Sequence, residues 1–147
     1  MKSCDENGLS TGQKIDDETA SNEFERFSRA WDIQSDVEKM TPEDRETFKV
    51  QKNRVVAAIV AGRASVDEAG DILYTLAHPG GSVDSLHFVR PKALAYLAMD
   101  DYKDRQSVKK LFAFMAVVTG QPVKFLSNLD GVDAKFLIGV ATLFLAS

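Results

Sequence analysis

The chain has 147 residues, 44% hydrophobic and 27% charged, with a net charge of −4; this is the balance of an ordinary soluble domain and excludes collagen-like, low-complexity and disulfide-stapled scaffolds. Cys4 is the only cysteine, so no disulfide can form within the chain, and a cytoplasmic or other reducing compartment is the expectation. The charge is uneven: residues 1–44 hold 5 basic and 12 acidic residues, whereas residues 45–147 hold 13 and 10, an acidic arm on a mildly basic body.

Residues 1–20 carry the acidic run Asp16-Asp17-Glu18 and few apolar side chains. They lack the apolar stretch of a signal peptide and offer too little burial to offset the entropy of ordering, so a disordered acidic arm is predicted. Residues 21–147 are predicted to form one helical domain. Ser21 caps the first helix, in which Phe24, Phe27 and Trp31 recur at i, i+3 and i+7. Anchors at that spacing either pack on their own domain or lie in a partner's groove, which makes these three the candidate partner-binding residues.

Thr41-Pro42-Glu43-Asp44 is a strong helix start, with a capping threonine, proline at the first helical position and acids in the first turn. Phe48, Val55, Val56 and Ile59 form its apolar stripe, and Gly62 ends it. Its other side carries Arg45, Lys49 and Lys52 at i, i+4 and i+7. Together with Lys109 and Lys110 they are the candidate anion or nucleic-acid contacts. An acidic chain with no recognition motif ranks that reading behind a protein partner.

Ser65-Val66-Asp67-Glu68 has the spacing of a capping box, which predicts a helix through Ile72, Leu73 and Leu76. His78-Pro79-Gly80-Gly81 then makes a turn, and Ser82-Val83-Asp84 opens a short helix. The four-residue string at His78 resembles the haem-ligating turn of the small haem-b electron carriers. That resemblance implies a second axial histidine, and His87, nine positions on, is the only other one in the chain. The remaining motifs of such a site are absent, so no cofactor is expected. Pro91 starts the next helix, with Leu94, Leu97 and Ala98 predicted to face inward.

Residues 106–119 read as a helix apolar on nearly all sides, stopped by Gly120 and Pro122. This is the predicted buried central helix, beginning near Asp101. Residues 123–129 form a short helix, and Asp133 caps the last, whose Phe136, Leu137, Val140, Ala141 and Phe144 leave a broad apolar face for a possible homodimer. The least polar stretch there, residues 136–146, is about half of the roughly 20 residues a membrane span needs, so no membrane association is expected.

The fold class expected is therefore all-α, an irregular bundle of about seven to eight helices around a buried central helix. Candidate chemistry is thin. Asp84 and His87 would share a helical face, as would Asp71 and His78, but no nucleophile accompanies them. Residues 128–133 hint at a calcium loop, yet Leu126 and Leu137 occupy positions that need carboxylates. No zinc-ligand spacing exists. No catalytic residue and no metal are predicted. A small non-enzymatic protein-binding regulator (inhibitor, adaptor, effector or chaperone-like) is the function expected, with a coat- or scaffold-like assembly subunit or a helical nucleic-acid binder as alternatives.

Overall fold

The computed structural model describes residues 15–100, 102 and 107–145. Helices dominate: α1 (Asp17–Ala30), α2 (Pro42–Val60), α3 (Ala93–Met99), α4 (Ser107–Thr119), α5 (Val123–Ser127) and α6 (Gly131–Leu145), with a single 3-10 turn at Val37–Lys39. Between α2 and α3 lies a three-stranded antiparallel sheet, β1 (Ala64–Val66), β2 (Ile72–Thr75) and β3 (Ser85–Phe88), in the order β1-β2-β3. The chain is mostly helical but not all-α.

The sheet replaces two predicted helices, and the reason is periodicity. Val66, Ile72, Tyr74, Leu76, Leu86 and Phe88 are buried while Ser65, Leu73 and His87 are exposed. That alternation has the period of two that belongs to a strand packed on one face. The Ser65-to-Glu68 spacing is not a capping box, because Ser65 lies in β1 and Glu68 in the hairpin turn. Gly70, at φ +88°, lets that turn lie against α1: a Cβ there would fall 2.1 Å from the Ala30 Cβ.

Thr41 and Pro42 do start α2, with the Thr41 hydroxyl accepting from the Asp44 amide at 3.1 Å. The helix α1 starts earlier than expected. Asp16 is its N-cap, accepting from the Thr19 amide at 2.7 Å, and Asp17 and Glu18 fill its first turn. That amide holds the exposed Asp16 carboxyl below the usual carboxylate value. This part of the acidic run thus complements a helix N-terminus. The rest of the predicted disordered arm, residues 1–14, lies outside the described residues.

Burial centres on α6 rather than α4. Phe136, Leu137, Gly139, Val140, Ala141 and Leu143 are all buried, and α6 packs on α2 and on α4. Gly139 sits where a Cβ would come 2.7 Å from Gln51 Oε1, so its lack of a side chain permits the close approach of α2. In α4, Ala113, Phe114, Met115 and Val118 are buried, but Val108 is 64% exposed. Its described part starts at Ser107, and the predicted start near Asp101 lies outside the described residues. Lys109 and Lys110 stand in the first turn of that described part.

Asp130, not Asp133, caps α6, its carboxylate accepting from the Val132 amide at 3.0 Å. Asp133 is fully buried and ties α6 to the sheet. Its Oδ1 accepts from the Tyr74 hydroxyl and the Ala77 amide, each at 2.7 Å, and its Oδ2 from the His78 amide at 3.1 Å. The Tyr74 ring stacks on Phe136 at 4.0 Å. Burial, reinforced by the adjoining Asp133 carboxylate, pushes the Tyr74 hydroxyl well above its ordinary pKa.

Candidate functional site

Phe24, Phe27 and Trp31 belong to the core, at 1%, 0% and 1% exposure. Phe24 meets Phe48 of α2 edge-on at 6.3 Å, and Trp31 meets Phe144 of α6 at 5.8 Å. Their helical spacing is the inner stripe of α1, and no partner can reach them in this arrangement. The apolar face of α6 is likewise consumed internally; Val132, at 53%, is its one large apolar side chain that stands exposed among the described residues. Ile138, Phe144 and Leu145 are half-buried, so most of that face is spent on the protein's own core.

The five basic candidates do not form one stripe. Arg45, Lys49 and Lys52 lie on α2, whereas Lys109 and Lys110 open α4, and these helices are bridged by α6. The Arg45 guanidinium donates to the carbonyls of Val37 and Met40 at 3.0 and 3.2 Å. Lys52 Nζ stands 5.6 Å from the centre of the Phe24 ring, a cation–π contact. Lys49 and Lys109 are exposed.

What stands out instead is α3. Leu94 and Leu97, one turn apart, are 65% and 61% exposed, contrary to the predicted inward orientation. The helix seats on α4 through Ala95, fully buried, and through Tyr96, whose ring meets Phe114 edge-on at 5.3 Å. A small residue and a flat ring make that seat, which turns both leucines outward. Val89, Tyr96 and Val108, at 42%, 48% and 64%, are further exposed large apolar side chains on α3, on α4 and on the connection that leads into α3. A groove runs beside α3 between the β3–α3 connection and the end of α4, lined by Val89, Arg90, Pro91, Lys92, Leu94 and Val117. An apolar groove with exposed leucines beside it is characteristic of an interaction site.

The two histidines do not make the predicted pairs. On a strand, residues three apart point to opposite faces, so His87 in β3 turns away from Asp84. His87 Nε2 instead lies 3.3 Å from Asp67 Oδ2, and His78 Nε2 lies 4.0 Å from Asp130 Oδ2. Asp67 and Asp71 face each other across the rung that closes the β1–β2 hairpin, where the Asp67 amide donates to the Asp71 carbonyl at 2.9 Å. Partial burial acts to raise the Asp67 pKa, but the Asp71 amide, His87 and the Ala69 amide together hold it below the usual carboxylate value. The one cue to this cluster in the sequence is the Asp67-to-Asp71 spacing around Gly70; His87 joins it only through strand pairing.

No helix among the described residues is long and apolar enough to cross a membrane. The chain matches no family model, no curated protein and no solved structure.

Proposed function

We propose that the protein is a non-enzymatic binding module, an adaptor or chaperone-like regulator, that engages an apolar segment of another protein through α3 and its groove. The carrying observation is the pair Leu94 and Leu97, standing 65% and 61% exposed on the outer side of a seated helix. Leaving two leucines in water forgoes about 1.5–3 kcal/mol of burial for each, a loss that a bound partner recovers. The segment Ala93–Met99 has no charge of its own, while Lys92 lines the groove beside Arg90, whose guanidinium is paired with Asp32. The occupant favoured is therefore an amphipathic helix with leucine-like anchors at i and i+3 and acidic residues beside them. The mildly basic balance of residues 45–147 agrees in sign.

A nucleic-acid role is less well supported, because Arg45 and Lys52 are engaged within the domain. The test uses the full chain and synthetic amphipathic helices flanked by glutamate or by lysine. Glutamate-flanked peptides are expected to bind with chemical-shift changes centred on Leu94, Leu97 and Val89, and Leu94→Glu/Leu97→Glu is expected to abolish that binding. Binding centred elsewhere, or unaffected by the double substitution, refutes the docking face. Concentration-dependent dimerisation lost in the same variant would assign the face to a second copy instead.

A further inference from the structure

The geometry points to a divalent transition-metal site at the closed end of the β1–β2 hairpin, built by Asp67, Asp71 and His87. It adjoins the α3 groove, which His87 also lines, but its carboxylates lie on the β1–β2 hairpin and not on α3. One donor atom from each of the three residues lies within 4.8 Å of the others. His87 Nε2 and Asp67 Oδ2 are 3.3 Å apart. A tetrahedral site with metal–ligand bonds of roughly 2.0–2.1 Å has an edge of about 3.3–3.4 Å, so this pair already stands at ligand spacing. The Asp71 carboxylate is half-buried, with an oxygen within 4.8 Å of both other donors.

Both carboxylates are held in the way that metal ligands are. Asp67 Oδ1 accepts from the amides of Ala69 and Asp71 at 2.9 and 3.0 Å. Asp71 Oδ1 accepts from Trp31 Nε1 and from the Arg90 amide, each at 3.0 Å. Each side chain is thereby oriented through one oxygen, Asp67 turning its Oδ2 to His87 Nε2 at 3.3 Å, the arrangement that outer hydrogen bonds impose on metal-binding groups. Among the described residues no lysine or arginine forms an ion pair with either carboxylate. The Arg26 guanidinium bonds the carbonyls of Val66 and Asp67 and the carboxylate of Glu23. That of Arg90 bonds Asp32 and the Ala30 carbonyl. Two like charges opposed across a hairpin rung destabilise it, and a dication there neutralises both. One imidazole and two carboxylates suit zinc and the neighbouring divalent ions better than calcium or magnesium, which favour all-oxygen sets.

Trp31, the only tryptophan, donates to Asp71 and so reports on the site. The experiment titrates the full chain carrying Cys4→Ser, stripped with chelator, with zinc chloride, by calorimetry and by tryptophan emission. Cobalt(II) absorption then reads the coordination. One zinc per chain with a change in emission is expected. His87→Ala and Asp67→Asn are each expected to weaken binding by about tenfold or more, whereas His78→Ala leaves it unchanged. His87 is half-exposed, so its variant retains the fold, to be checked by circular dichroism. Absence of heat and emission change at millimolar zinc overturns the proposal, as does binding that His87→Ala leaves intact.

Discussion

Helices α6 and α3 are both predominantly apolar, yet they occupy opposite positions in the molecule. Around α6 the large apolar side chains other than Val132 are buried or half-buried, and its one buried charge, Asp133, accepts from three donors. On α3 only Ala95 is buried, and the two leucines face water. Hydrophobicity does not separate them. The difference lies in what packs around each helix: α2, α4 and the sheet enclose α6, whereas among the described residues α3 rests mainly on α4, with Tyr96 reaching Phe144 of α6 at 6.3 Å.

Breaking the enclosed side should have the largest effect. Asp133→Ala removes the acceptor of three donors at once and is expected to cost about 3–4 kcal/mol, read as a lowered urea midpoint. Gly70→Ala is expected to cost about 2–4 kcal/mol, because its positive φ strains an L residue and the added carbon overlaps Ala30; a smaller loss would mean that the hairpin turn moves freely off α1.

Tyr74→Phe should be milder, about 1–2 kcal/mol at neutral pH, the worth of one hydrogen bond to a charged acceptor. It also has a pH signature. The Tyr74 hydroxyl titrates higher in the folded chain than its ordinary value. Its contribution is therefore complete below about pH 10 and is lost as the pH rises above that, where the unfolded state releases the proton first. The variant should show a flatter decline of unfolding free energy above pH 10 than the parent. Least affected in stability is the open side. Leu94→Glu/Leu97→Glu is expected to shift the unfolding free energy by no more than about 0.5 kcal/mol per site while removing peptide binding, so a large loss of stability would place these leucines in the core after all.

Local chemistry made several elements legible. Thr41 and Pro42 start α2 because capping and a fixed proline φ act within one turn. Gly120, at φ +70°, ends α4 for an equally local reason. The sheet was misread because Ile72, Leu73 and Leu76 match a helical stripe as readily as Ile72, Tyr74 and Leu76 match a strand. In so short a run only the pairing partner decides. The aromatic stripe of α1 was legible as a stripe, but its neighbours were not, so its assignment to core or partner lay beyond the pattern. The carboxylate–histidine cluster was illegible for a related reason. Asp67 and His87 are twenty positions apart and meet through two strand registers.

The sequence by itself determined the start of α2 and the end of α4, that most of the chain is helical, and that two segments near its end are oily enough to demand burial. Caps, proline, glycine and mean hydropathy act over a few residues and carry that information locally. Which oily helix became the heart, which leucines stayed in the solvent and which acid found a histidine were decided by the tertiary structure. Those outcomes depend on contacts between residues far apart in the chain, and only packing selects among them.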